Sequence, residues 1–234
     1  MLELERQLPL ALRLPDNETL ASFFAGSNGT LLAWLQQRLD QPGFAALYLH
    51  GAEGTGKSHL VHALTAAFAA REQPCFALAL NAPALPAPAV VEGLESFALV
   101  AFDDLDQIAG NSDWEQALFD LYNRMHEADR GLLVITASQP PRALNIQLPD
   151  LASRLDWGMV VRLAPLDDDD KLQALQLRAQ LRGLTMPDEV GRYLLLHVAR
   201  DMRNLCRVLE RLDRASLAAQ RKLTVPFVKQ VLGL

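Results

Sequence analysis

From Ala45 onward the chain alternates short apolar runs with stretches whose apolar residues recur at i, i+3 and i+4. The runs Ala45–Leu49, Cys75–Leu80, Ala98–Phe102, Leu132–Thr136 and Met159–Leu163 read as strands buried on both faces. Between them, Lys57–Ala70, Trp114–Ala128 and Pro149–Leu155 carry helical periodicity, with Trp114, Leu118, Leu121 and Met125 on one core-facing stripe. Buried strands alternating with helices predict an α/β fold: a parallel five-stranded sheet flanked by helices. Pro83, Pro86 and Pro88 delay the helix expected in the second crossover, because proline has no N–H to donate inside a helix. After Pro165 the strand-like runs cease. Asp167–Arg182, Asp188–Val198, Asp201–Ala219 and Val225–Leu232 all have helical spacing and predict a small all-helical domain. Upstream, Asp16–Asp40 predicts two helices broken near Gly26-Ser27-Asn28-Gly29, and residues 1–14 form a short leucine-rich stretch interrupted by Pro9. The expected division is therefore 1–14, an α/β base domain over 15–164, and a helical domain over 165–234.

Composition narrows the function classes. Half of the 234 residues are apolar, so a substantial core can form and disorder is not expected. A net charge of -6 argues against broad electrostatic affinity for nucleic acid, although it leaves a local basic patch open. Cys75 and Cys206 lack metal-ligand spacing and read as reduced core thiols. No apolar stretch approaches the roughly 20 residues of a membrane span. The N-terminus shows no basic segment followed by an apolar one, so a cytoplasmic protein with no membrane partner is expected.

The candidate chemistry lies at Gly51-Ala52-Glu53-Gly54-Thr55-Gly56-Lys57-Ser58, which fits the phosphate-loop pattern between a strand and a helix opening near His59. Glycines allow the backbone to turn its N–H groups inward, and the helix N-terminus favours phosphate. The expected ligand is a purine nucleotide, ADP or ATP, held by residues 51–58 and His59. Lys57 would reach the β- and γ-phosphates and the Ser58 hydroxyl would bind Mg2+. The strand Leu99–Phe102 then delivers Asp103 and Asp104. Asp103 is the second expected Mg2+ ligand, directly or through water, and Asp104 the group to orient or deprotonate an attacking water. Alone, Asp103-Asp104-Leu105-Asp106 could equally be a solvated acidic turn. Its place one crossover after the phosphate loop favours the nucleotide reading, with Asp106 as a surface or capping residue. Asp167–Asp170 precedes a periodic helix, where carboxylates cap N–H groups and complement the dipole, so capping is preferred to metal binding.

Phosphate loop, acidic strand end, a further strand and a helical lid follow the order of an AAA+ P-loop NTPase. Within that class, Thr19–Asn28 resembles the start of the DnaA-type AAA+ domain, where such a stretch packs near the adenine. Leu148-Pro149-Asp150-Leu151-Ala152-Ser153-Arg154-Leu155-Asp156-Trp157-Gly158 is similar to that family's arginine-finger box. Asp201-Met202-Arg203-Asn204-Leu205 resembles its sensor 2, and Ser138 in Thr136-Ala137-Ser138-Gln139 falls at sensor 1, where a more polar or acidic group is common. Asp104 stands where many AAA+ ATPases have the longer Glu, so vigorous turnover is not expected.

In DnaA a basic helix-turn-helix domain follows the lid, whereas this chain stops at Leu234, and no such domain is expected. Gln7-Leu8-Pro9-Leu10-Ala11-Leu12 looks like the glutamine-and-leucine peptide that docks on the bacterial sliding clamp, the β subunit of DNA polymerase III. Gln7 would make directional hydrogen bonds at the pocket rim, and Leu8, Leu10 and Leu12 would fill its apolar part. The segments Asp170–Ala179 and Ala219–Lys229 also look like the branch of the family that inactivates DnaA.

The resemblance implies a negative regulator of replication initiation. Bound to nucleotide, in the ADP form, it would dock on DNA-loaded clamp and stimulate hydrolysis of ATP held by the DnaA initiator. DNA would be met only through the clamp, and homo-oligomers stay possible. Arg154 would act across an interface on the partner's γ-phosphate, and Arg203 would couple the lid to the chain's own nucleotide. From the residues alone, Arg154 could instead pair with Asp150 or Asp156, Arg203 could be an exposed helix arginine, and residues 7–12 could be a strand or staple packed on the domain. A self-sufficient ATPase such as a helicase loader is the alternative function.

Overall fold

A computed structural model describes residues 18–234. Gln7, Leu8, Leu10 and Leu12, assigned to clamp binding, lie outside the described residues. Five parallel strands, β1 (Ala45–His50), β2 (Cys75–Ala79), β3 (Leu99–Asp103), β4 (Leu132–Ala137) and β5 (Met159–Arg162), pair in the order β2-β3-β4-β1-β5. The crossover helices are α2 (Lys57–Ala69), α3 (Ser112–Glu127) and α4 (Pro149–Trp157), and α1 (Gly29–Arg38) precedes the sheet.

Alternation along each strand feeds two cores. Tyr48, Val100, Phe102, Leu133 and Ile135 face α3 and α4 in one. Leu47, Leu49, Leu99, Ala101, Leu132 and Val134 face Leu35, Leu60, Leu64 and Phe68 of α1 and α2 in the other. Successive strand residues point to opposite sheet faces, so continuous apolar runs are what a sheet covered on both sides requires. Trp114, Leu118, Leu121 and Met125 are buried in the first of these cores.

The lid comprises α5 (Asp168–Leu181), α6 (Asp188–His197), α7 (Met202–Ala219) and α8 (Val225–Leu232) around its own core of Leu175, Leu194, Leu205, Leu209 and Val228. Asp167 caps α5 by accepting the Asp170 N–H at 2.8 Å, as expected of the acidic run. Cys75 and Cys206 are free but only half-buried, less enclosed than core thiols would be.

Two expectations are corrected. Only one helix, α1, forms in the described part of the Asp16–Asp40 stretch, preceded by a 3-10 turn at Gly26–Asn28. Ser22 donates its N–H to both the carbonyl and the hydroxyl of Thr19, and Thr19 N–H donates to Ser22 Oγ. These local bonds close a turn in competition with helix. The β2–β3 crossover contains 3-10 turns at Pro88–Val91 and Leu94–Ser96 rather than a delayed α-helix. The prolines and the left-handed Gly93 leave no uninterrupted stretch for one.

Candidate functional site

Strand β1 ends directly on the phosphate loop, and α2 begins at Lys57, so the loop occupies the carboxyl edge of the sheet. The three loop glycines fit this role differently. A Cβ at Gly51 would meet the Leu163 carbonyl oxygen at 2.7 Å, so backbone packs too closely there for a side chain. Gly56 has φ +101°, and a Cβ would come within 2.9 Å of the Phe23 ring. Gly54, at φ +79°, faces open space. Lys57 is buried, with Nζ donating to the carbonyls of Gly51 (2.7 Å) and Ala52 (3.1 Å). Its ammonium is thus held within the curve of the loop, beside first-turn amides of α2 that have no intrahelical acceptors.

A cleft of about 630 Å³ opens over the loop and gathers Glu53, Gly54, Gly56, Lys57, Ser58 and His59 with Asp104, Ser138 and Arg203. Its dimensions and donors suit an anionic nucleotide. A smaller recess continues from Gly54–Gly56, and Phe23, Phe24, Leu166 and Met202 give its lining an apolar part that could face a base. Of the two expected Mg2+ ligands, Ser58 lines the cleft, whereas Asp103 is not among its lining residues. Asp103 is buried and accepts a hydrogen bond from Thr136 Oγ1 at 2.5 Å, and the same hydroxyl accepts the Asp104 N–H at 3.0 Å. Thr136 therefore orients the acidic strand end. In sequence Thr136 is a strand end next to the sensor 1 segment; the pairing of Phe102 with Ile135 sets it beside Asp103.

Asp104 has φ +64° and takes the amide of Asn81 on its carboxylate at 2.5 Å. Burial, and then the negative charge of Asp103, raise its pKa above the ordinary carboxylate value. Ser138 donates both its N–H and its hydroxyl to Asp106. Asp106 is accordingly more than the surface or capping group expected of it, because it anchors Ser138.

The lid meets the base at two cations. Arg203 is 67% exposed, with Nη1 4.0 Å from Glu53 of the phosphate loop. Arg178 of α5 donates from Nη2 to His59 Nδ1 at 2.7 Å. A guanidinium only donates, so the imidazole proton sits on Nε2, 3.1 Å from the Thr19 carbonyl. Burial, followed by the Arg178 charge, pushes the His59 pKa down to about 4. Beside it, His62 is paired with Glu18, which raises the His62 pKa. Arg178 was not foreseen: its role depends on how α5 lies against α2, which no local pattern encodes.

Arg154 is placed elsewhere. It lies beside Ala46 and Leu47 at the start of β1 and beside Tyr122, at the sheet end opposite the phosphate loop. Neither expected carboxylate pairs with it among the described residues, and Asp156 is engaged by Arg142 at 2.6 Å. Its guanidinium instead lies 4.3 Å from the Trp157 ring centroid and 5.7 Å from that of Tyr122. Among the described residues, no helix is long and apolar enough to cross a membrane.

Comparison with known proteins agrees with this architecture. The family model described as the bacterial DnaA ATPase domain matches residues 89–162, and that described as the Hda lid domain matches residues 168–232. Domain III of the Thermotoga maritima replication initiation protein DnaA is similar at TM-score 0.73 and 18% identity, over 94% of this chain and 97% of that one. A replication initiator DnaA bound to AMPPCP and single-stranded DNA gives 0.71 and 18%, over 89% and 70%. AMPPCP-bound DnaA from Aquifex aeolicus gives 0.68 and 19%, over 85% and 65%. The fold is a DnaA-like AAA+ module with a C-terminal helical lid.

Proposed function

We propose that this DnaA/Hda-type AAA+ protein is a nucleotide-dependent negative regulator of replication initiation that stimulates hydrolysis of DnaA-bound ATP. The observation that carries this reading is Arg154, an arginine with no carboxylate partner among the described residues, at the sheet end away from its own phosphate loop. Any phosphate it reaches would therefore be a neighbour's. Its delocalised charge cannot be lost, and it would stabilise charge developing on the neighbour's γ-phosphate. The match of the lid to the Hda lid model supports the choice of a regulator within the DnaA-like fold.

The chain's own nucleotide, ADP in the active form, is held by the amides of Gly51–Ser58 and by Lys57. Bound Mg2+ would neutralise phosphate charge, with Ser58 and Asp103 as its protein ligands and Thr136 fixing Asp103. Asp104 would handle the water in any turnover by this chain. Ser138 lines the cleft, and Arg203, together with Arg178 through His59, links the lid to the filled loop. Gln7, Leu8, Leu10 and Leu12 tether the protein to the sliding clamp on DNA, which raises its effective concentration near DnaA.

The test is hydrolysis of DnaA-bound ATP in the presence of clamp-loaded DNA. Wild-type protein accelerates it, and Arg154→Ala reduces the acceleration by about a thousandfold or more, the scale of a lost arginine finger. Acceleration that survives Arg154→Ala refutes the finger. ATP turnover by this chain alone, without DnaA, points to the self-sufficient ATPase.

A further inference from the structure

We infer that Trp157 is the positioning residue of Arg154, an aromatic clamp that aims the guanidinium without neutralising it; this rests on Arg154 being the finger. The two residues are three apart on α4, so their side chains lie over one another on the same helix face. The Arg154 guanidinium lies over the Trp157 ring and, farther off, over the Tyr122 ring of α3. The two walls differ in kind: Tyr122 is buried in the core, whereas Trp157 is 65% exposed.

The fold gives little reason for that exposure. Leu151 and Leu155 already bury the inner face of α4, and a tryptophan left in solvent adds little to stability. The clamp does give a reason. Arginine has many rotamers, and a finger that must enter another protein's nucleotide site loses most of them when it engages. A carboxylate could hold it still, but it would cancel the charge and would have to be displaced by the incoming phosphate. An aromatic face attracts the cation through its quadrupole, leaves the charge intact and leaves the N–H edges free to donate. The competing carboxylate nearby, Asp156, is occupied by Arg142. Trp157 also continues into an aromatic hollow with Trp34, Phe44 and His126, so the clamp stands on a surface a partner can approach.

The experiment titrates wild type, Trp157→Ala, Trp157→Phe and Arg154→Ala against ATP-bound DnaA on clamp-loaded DNA, reading maximal rate and half-maximal concentration separately. Trp157→Ala lowers the maximal rate about tenfold while the half-maximal concentration moves less than about twofold, because orientation rather than docking is lost. Trp157→Phe, which keeps an aromatic face, recovers most of the rate. In the free protein, the Trp157 indole N–H resonance, assigned by its disappearance in Trp157→Phe, shifts when Arg154 becomes alanine. An unchanged maximal rate in Trp157→Ala, no rescue by phenylalanine, or an unmoved indole resonance overturns the inference. If Arg154→Ala itself leaves stimulation intact, the finger assignment falls and the positioning role with it. If Arg154→Ala abolishes stimulation and Trp157→Ala does not, only the positioning role falls.

Discussion

At the scale of single residues, the junction of lid and base turns on one proton. His59 accepts from Arg178 on Nδ1 and must therefore be neutral. With its folded pKa near 4 against 6.5 for an unperturbed histidine, the folded chain declines a proton that the unfolded chain takes up. Stability from this group therefore falls as pH drops from about 6.5 to about 4. His62 has the opposite sign. Its pairing with Glu18 raises its pKa, so its contribution is complete below 6.5 and is lost as pH rises through the higher folded value. Gln in place of His59 keeps a donor and an acceptor but does not titrate. Thermal melts at about pH 7.5 and about pH 5 should show a smaller drop in Tm for His59→Gln than for wild type, with His62 common to both. A drop as large as the wild-type one contradicts a neutral His59. The sequence marked His59 as a neighbour of the loop, yet its partners lie 40 and 119 residues away and were invisible there.

At the scale of elements, most of the secondary structure was legible because burial periodicity and capping are local. All five strands and the long helices fall within one or two residues of their expected ends, apart from the stretches near Thr19 and Pro88. What joins the elements was less visible. Glu115, in the first turn of α3, is 2% exposed and accepts the N–H groups of Gly110 (2.6 Å), Gln147 (2.9 Å) and Leu148 (2.8 Å). It ties the loop before α3 to the chain entering α4, and so sets where Arg154 stands. In sequence it reads as one more polar helix residue. Glu115→Ala strands three backbone donors and should cost about 3 kcal/mol or more in urea unfolding. A loss below about 1 kcal/mol shows that other groups or water satisfy those amides.

At the scale of the whole molecule, the lid has its own core and meets the base partly through Arg178–His59 and Arg203–Glu53, both beside the cleft over the phosphate loop. Nucleotide bound in that cleft should stabilise the fold by about 2.7 kcal/mol at a hundredfold excess over Kd. Calorimetry with ADP and Mg2+ should show a rise in Tm that Lys57→Ala abolishes. A rise that persists in Lys57→Ala places the ligand elsewhere. The sequence by itself determined the α/β class, the helical lid and the phosphate loop, because each is written in neighbouring residues: strand and helix periods, and glycines where the backbone must turn. Only the tertiary structure decided that Thr136 orients Asp103, that Arg178 reaches His59, and that Arg154 faces away from its own cleft against Trp157 and Tyr122. Those pairings depend on strand order and helix placement, which bring together residues that no local rule connects.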